Sequence, residues 1–327
     1  MKNIIIFGGA GFIGTNLTKY LLNQGHKVLC VDNFYTSDIS NITRFNHNLN
    51  YNHIMLDITE LDNLLVYIQL INKIEDFFYN FVDEIYNLAC PASPPKYQKN
   101  PLYTIHCSLA VEYICKIAIE YNSILLHAST SEVYGDPLIH PQPENYKGNV
   151  NTVGPRSCYD EGKRIAETII YEYNKLGLRS KIIRIFNTYG PYMDPNDGRV
   201  ISNFINQALQ NKDITIYGNG TQTRSFQYID DLIIGIDKVM HNTIEDFYGP
   251  INIGSEFEFT INELAELILK MIPESKSKII YKDLPKDDPI QRRTDNSKLY
   301  KKTHHISSIT LEEGLEKTIK YFKSLYE

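Results

Sequence analysis

Asn3-Ile4-Ile5-Ile6-Phe7-Gly8-Gly9-Ala10-Gly11-Phe12-Ile13-Gly14 begins with a β-branched apolar run, passes through clustered glycines, and continues with apolar positions at helical spacing through Leu17, Leu21 and Leu22. That order predicts a strand, a tight turn and a helix. The glycines satisfy GxGxxG from Gly9 and GxxGxxG from Gly8. Such glycines let the backbone turn sharply, admit a pyrophosphate at close range and let the helix lie against the strand, its amino end facing the phosphates. The pattern alone is weak, but a second strand over 27–31 ends in Asp32, 18 residues after Gly14. A carboxylate there accepts the hydroxyls of a ribose.

Further strand-like runs cover 53–56, 84–88 and 124–128, with helical patterns over 57–74 and 102–121 between them. Alternating strands and helices imply an α/β fold, a Rossmann-type doubly wound parallel sheet covered on both faces. After Tyr134 comes a loop holding Pro137, Pro141, Pro143 and Pro155, then a helix over 159–175 and a strand over 181–186. Beyond Asn187 the units shorten around Gly190-Pro191, Gly218-Asn219-Gly220 and Phe247-Tyr248-Gly249-Pro250, with one more helix over 260–271. Residues 1–186 are expected to form the cofactor-binding domain. Residues 187–327 are expected to form mainly a smaller, discontinuous substrate lobe, with some segments returning to the first domain.

The 327 residues suffice for a full hydrophobic core, and 43% hydrophobic with 22% charged residues is a soluble globular composition. Thirty-three Lys and Arg against 39 Asp and Glu give a net charge of −6 without a long basic run, which disfavours a nucleic-acid or anionic-membrane surface. The five cysteines are scattered without CxxC spacing, so neither a metal site nor a disulfide framework is expected. The apolar start is too short for a signal peptide or membrane span. A cytoplasmic location is expected.

The carboxylate of Asp32 repels a 2′-phosphate, and residues 33–39 contain Asp38 but no Arg or Lys, so NAD is favoured over NADP. Gly8, Gly11, Phe12, Ile13, Gly14, Asp32 and Asn33 are the candidate cofactor contacts. Asp57-Ile58 would flank the adenine, although Asp57 reads equally well as a helix N-cap. Leu88 would run beneath the cofactor.

Tyr159 and Lys163 stand four residues apart, one above the other on a helix face. An unperturbed phenol titrates near ~10. A neighbouring ammonium, together with a positive nicotinamide, is expected to lower that value and make Tyr159 a base.

With the dinucleotide motif upstream, the sequence resembles the extended short-chain dehydrogenase/reductase family over nearly its whole length. The family's third catalytic group, a Ser or Thr at the end of the fifth strand, is matched by Thr130 in Ala128-Ser129-Thr130-Ser131-Glu132-Val133-Tyr134-Gly135. Three strings resemble the UDP-glucuronic acid decarboxylases within it: Cys90-Pro91-Ala92-Ser93-Pro94-Pro95; Gly154-Pro155-Arg156-Ser157-Cys158-Tyr159-Asp160-Glu161-Gly162-Lys163-Arg164; and Asp197-Gly198-Arg199-Val200.

The resemblance implies decarboxylation of UDP-glucuronic acid to UDP-xylose. The chemistry is coherent, because losing CO₂ from a sugar acid requires a ketone β to the carboxylate. Tyr159 takes the C4 hydroxyl proton, NAD accepts the hydride, and the 4-keto acid loses CO₂ through an enolate before the hydride returns. Related 4,6-dehydratases carry Asp-Glu where this chain has Ser131-Glu132, so the acid for dehydration is missing. A lone Glu132 would order water or repel the substrate carboxylate. The resemblance also implies Arg292 near that carboxylate, Asn187, Tyr217 and Arg224 at the nucleotide, and Arg199 at the cofactor or the diphosphate. A 4-epimerase or 4,6-dehydratase is the alternative, followed by a non-catalytic nucleotide-sugar sensor.

His106-Cys107 replaces a usual Lys-Thr pair, Tyr192 replaces a usual Arg, 60–83 is longer than in most decarboxylases, and a Gly-Trp-Pro near the carboxyl end is absent. The resemblance implies a homodimer joined by a four-helix interface from 102–121 and 159–175.

Overall fold

Seven parallel strands form the central sheet of the computed structural model, which describes residues 1–242, 249–283 and 291–326. They are β1 (Asn3–Phe7), β2 (Lys27–Asp32), β3 (Tyr51–Met55), β4 (Glu84–Asn87), β5 (Ile124–Thr130), β6 (Arg179–Ile185) and β7 (Ile251–Ile253). Their order is β7-β6-β5-β4-β1-β2-β3. The chain therefore runs outward from β1 in one direction and, from β4, in the other. Ligands of such sheets sit where the order reverses, outside the carboxyl ends of the strands.

Alternate side chains build the two faces. Ile4, Ile6, Val28 and Cys30 pack with Leu17 and Leu21 of helix α1 (Phe12–Asn23). Ile5, Phe7, Leu29 and Val31 pack on the other side with Leu70 and Ile74 of α2 (Leu64–Phe78) and Ile114 and Ile117 of α4 (Val111–Glu120). Burial on both faces is why these strands read as continuous apolar runs.

Two helices differ from expectation. The helix expected from residue 57 begins at Leu64, because Asp57 caps a short 3₁₀ turn over Ile58–Glu60 and Asn63 caps α2 through Leu65 N at 2.9 Å. The helix expected over 102–121 is two segments, α3 (Pro101–Leu109) and α4, which meet at Ala110. Among the described residues, the stretch Pro101–Glu120 is long and apolar enough to cross a membrane by length and composition. Half of its apolar window is buried inside the protein, and both segments pack against α5 (Ser157–Asn174).

The chain beyond Asn187 adds short sheets. Thr223–Ser225 lies between Glu258–Thr260 and Gln291–Arg292, and its pairing with the latter is parallel with Arg224 opposite Arg292. Strand β7 returns to the central sheet beside β6. Phe247, Tyr248 and residues 284–290 lie outside the described residues.

At the amino ends of the strands, buried Glu84 accepts hydrogen bonds from His241 Nε2 at 2.9 Å and the Tyr86 hydroxyl at 3.0 Å, and pairs with Lys2. His241 caps the carboxyl end of the helix Ile229–Met240, and its Nδ1 lies 3.1 Å from Asp237. Hydrogen bonds to Asp237 and Glu84 raise the imidazole to about 9. A raised folded-state pKa stabilises fully below the unfolded value near ~6.5 and loses that contribution as pH rises through the folded one. The melting-temperature difference between this protein and His241→Gln should therefore be largest below pH ~6.5 and vanish above ~9. A difference constant over that range would show the ring is not held by its charge.

Candidate active site

A cavity of about 1070 Å³ opens at the carboxyl ends of the strands, and every site residue singled out from the sequence lines it. Its floor is the glycine turn. A Cβ on Gly8, whose φ is +78°, would stand 2.8 Å from Ala89 N, and one on Gly14 would stand 2.3 Å from Gly8 O. The turn therefore closes only without side chains, leaving the amino end of α1 at Gly11, Phe12 and Ile13 bare toward the cavity.

Asp32 ends β2, where its carboxylate accepts from Ala10 N at 2.9 Å, Phe34 N at 2.8 Å and Ser37 Oγ at 3.0 Å. Burial raises its pKa against the opposing effect of those bonds. Asn33 Nδ2 donates to Asp57 Oδ2 at 2.6 Å, and the Tyr103 hydroxyl reaches the same oxygen at 2.9 Å. Asp57 Oδ1 meanwhile accepts from Thr59 N at 2.9 Å. Asp57 is thus both an N-cap and part of the cavity wall, joined there by Ile58 and Leu88. A bare helix terminus, a glycine cradle that a Cβ would fill and a carboxylate at the second strand fit a dinucleotide. The wall over 33–41 carries no Lys or Arg to meet a 2′-phosphate.

The reacting groups lie at the other end. Tyr159 and Lys163 occupy the first turns of α5, Lys163 Nζ standing 5.9 Å from the Tyr159 ring centroid and donating to Ala128 O at 2.8 Å. Thr130, the last residue of β5, hydrogen-bonds the Tyr159 hydroxyl. The phenol nevertheless titrates above its ordinary value, because burial and the nearby Cys90 outweigh the Thr130 hydrogen bond and the Arg199 charge. The lowering expected from Lys163 does not prevail in the protein alone. The positive ring of an oxidised nicotinamide is the charge that would shift the balance toward the phenolate.

Glu132 is the centre of a buried charge cluster rather than a lone carboxylate. Arg292 Nη1 donates to Glu132 Oε1 and to Ser131 Oγ, each at 2.9 Å, and its Nη2 donates to Gly135 O at 2.9 Å. Arg156 Nη2 donates to Glu132 Oε2. Burial, the largest single influence, pushes the Glu132 carboxyl up, but Arg292 and Arg156 together bring it down to about 2. Arg292 is 1% exposed, although adjacent arginines in a loop are ordinarily solvated.

The nucleotide candidates line the far wall. Asn187 follows β6 and accepts from Gln227 N through its backbone oxygen at 2.8 Å. Arg224 Nη1 donates to Thr223 O at 2.9 Å, and Tyr217 stands half exposed at the rim. Arg199 is the N-cap of the helix Val200–Leu209 and pairs with Asp197 at 3.1 Å; its influence on Tyr159 places it toward the reacting end. Of the departures, His106 is exposed and does not line the cavity, whereas Cys107 does. Tyr192 has φ +69° and carries the Arg44 guanidinium 4.4 Å over its ring.

Sequence reasoning left Arg156, Asp160 and Tyr97 unassigned. The i, i+4 spacing of Arg156 and Asp160 was a usable signal for the first two. Tyr97 stacks on Tyr159 with centroids 4.9 Å apart and planes 2° apart, a contact across 62 residues that no local pattern announces.

Residues 4–254 match the family described as the NAD dependent epimerase/dehydratase family. UDP-glucuronic acid decarboxylase 1 of Danio rerio is 45% identical over 98% of this chain and 72% of its own. UDP-glucuronic acid decarboxylase 5 of Arabidopsis thaliana is 44% identical over 95% of this chain and 86% of its own. The solved UDP-glucuronic acid 4-epimerase of Bacillus cereus, in complex with UDP-glucuronic acid and NAD, superposes with a TM-score of 0.87 at 27% identity, covering 99% of this chain and all of that one.

Proposed function

The chain belongs to the NAD dependent epimerase/dehydratase family, and from that premise we propose that it is a decarboxylase converting UDP-glucuronic acid to UDP-xylose. The observation that carries this reading is Glu132 clamped between Arg292 and Arg156 beside Tyr159. Two guanidinium ions gathered at one end of the cavity offer donors to a sugar carboxylate, and arginine's planar fork suits that partner. Ser131, where a dehydratase needs an acid, is a hydroxyl accepting from Arg292.

When bound, NAD supplies the reversible oxidation of C4 that makes the carboxylate β to a ketone. Tyr159, as the phenolate that a bound oxidised nicotinamide would favour, accepts the C4 hydroxyl proton, and the Thr130 hydrogen bond steadies that phenolate before the transfer. Lys163 adds a fixed positive charge on the same helix face. Arg292 and Arg156 orient the carboxylate. Because Glu132 already neutralises part of their charge, they hold the leaving group without over-stabilising it, which matters when charge leaves that group in the transition state. The cavity wall of Tyr97 against Tyr159 excludes water from the ring face.

The test is to incubate the holoenzyme separately with UDP-glucuronate, UDP-glucose and dTDP-glucose and to identify products by mass. Loss of CO₂ is expected from the first alone, with no net accumulation of reduced cofactor. The solved UDP-glucuronic acid 4-epimerase favours a second reading, since the same framework there holds the same sugar acid. A product of unchanged mass with inverted C4 would establish that reading, and a 4-keto-6-deoxy sugar would point to a dehydratase.

We further propose a homodimer joined through the helices Pro101–Glu120 and α5. Leu102, Leu109, Ile165 and Tyr171 are apolar and exposed on them, which supports a shared apolar face. Light scattering at micromolar concentration should give twice the mass of 37.8 kDa, and a monomer mass would sink the idea.

A further inference from the structure

The charge cluster has a fourth member that faces no part of the cavity. Asp160 lies one turn after Arg156 on α5, and the residue is 6% exposed. Oδ2 stands 3.9 Å from Arg156 Nε, while buried Oδ1 has no hydrogen-bond partner among the described residues. An ionised carboxylate with one oxygen buried and unpaired is costly, whereas a protonated one needs fewer partners. We propose that Asp160 sets the charge of the arginine cluster, holding a proton when the sugar carboxylate is bound and releasing it when the site empties. This rests on the decarboxylase reading above.

With Asp160 ionised, Glu132 and Asp160 balance Arg156 and Arg292, and no positive charge is left for an incoming carboxylate. With Asp160 protonated, one is. The balance is simple: the ionised protein, the substrate anion and one proton from water give the complex with Asp160 neutral, and the proton leaves when the anion does. The groups facing Asp160 are Glu132, Arg292, Arg156, Glu161, Tyr97 and Cys158. Burial and the Glu132 charge raise Asp160 to about 7, against the two arginines. A second anion beside the cluster raises it further. Asp160 is therefore a positioning residue, acting on the substrate through Arg156.

Calorimetric titration of the Tyr159→Phe holoenzyme, in which turnover is slowed about 10²–10⁴-fold while binding is kept, in buffers of different ionisation enthalpy reads the proton directly. UDP-glucuronate should take up about one proton per site above pH ~7, its affinity falling up to about tenfold per pH unit, while UDP-xylose should take up none. Adding Asp160→Asn should abolish the uptake and flatten the pH dependence for UDP-glucuronate, with UDP-xylose affinity unchanged. Difference infrared spectroscopy should show a protonated-carboxyl band on adding UDP-glucuronate to the protein with Asp160 intact, which keeps the idea testable if Asp160→Asn does not fold. Uptake that persists in folded Asp160→Asn, or binding of UDP-glucuronate without uptake and without the band, overturns the proposal. The decarboxylase reading fails differently: UDP-glucuronate would give no CO₂ with the unmodified holoenzyme, whatever the proton count.

Discussion

Tyr159→Phe should leave NAD bound and bring CO₂ release from UDP-glucuronate down by about 10²–10⁴-fold, the usual cost of removing a general acid–base group. The substitution deletes one oxygen and keeps the ring, so the stack on Tyr97 and the burial that positions it survive. What disappears is the hydroxyl that Thr130 hydrogen-bonds, and with it the acceptor for the C4 proton. Neither neighbouring ionisable group is placed to substitute: Lys163 is occupied at Ala128 O, and Glu132 is held by two arginines. The loss should fall on kcat rather than on substrate binding, since the phenol is used in the transition state. Single-turnover measurement with cofactor absorbance followed would locate the defect in the oxidation step. A variant that kept most of its activity would remove Tyr159 from the mechanism.

Arg292→Ala should destabilise the whole protein as well as stop the chemistry. Arg292 is 1% exposed and donates to Glu132, Ser131 and Gly135. Removing one partner of a buried ion pair typically costs about 3–5 kcal/mol, because the remaining charge is left poorly compensated in a dry site. Arg156 still holds Glu132, which argues for the lower end of that range. Denaturant unfolding should show the loss as a shifted midpoint. The Glu132 carboxyl, held at about 2 by Arg292 and Arg156, should also titrate higher in the variant. Stability then falls with acid over a higher pH range than in the unmodified protein, since a depressed carboxyl contributes above its unfolded value and loses that contribution as pH drops through the folded one. A variant as stable as the parent would mean that Arg292 is not committed to Glu132 in solution.

The first six strands along the chain, the glycine turn and the Tyr159–Lys163 pair were legible because each is written locally, as a continuous apolar run, a period of 3.6 or a fixed offset from a glycine. Asp32 was legible for the same reason, whereas the seventh strand, Ile251–Ile253, was not. Boundaries set by a side chain choosing one backbone N–H over another were not, and the late start of α2 at Leu64 follows from Asp57 and Asn63 capping separate turns. The electrostatics of the site were the least legible part. Arg292, Glu132, Arg156 and Asp160 come from three distant segments, and their mutual burial decides their charge. Lys163 and Tyr159 show the converse: the spacing is right, yet burial outweighs the effect the spacing suggested.

The pairing of Gln291–Arg292 with Thr223–Ser225 sets Arg292 directly opposite Arg224. Neighbouring strands stand about 4.8 Å apart, and paired residues of a parallel ladder present their side chains to the same face. One hydrogen-bonded ladder therefore acts as a ruler between Arg224, the arginine expected at the nucleotide, and Arg292, the arginine proposed for the sugar acid. Its graduations are single residues, and slipping by one mark sends a side chain through the sheet to the opposite face. The geometry of this corner of the molecule depends on register as much as on residue type. An insertion of one residue beside Arg292 that conserved every side chain would still uncouple the two ends of the sugar nucleotide.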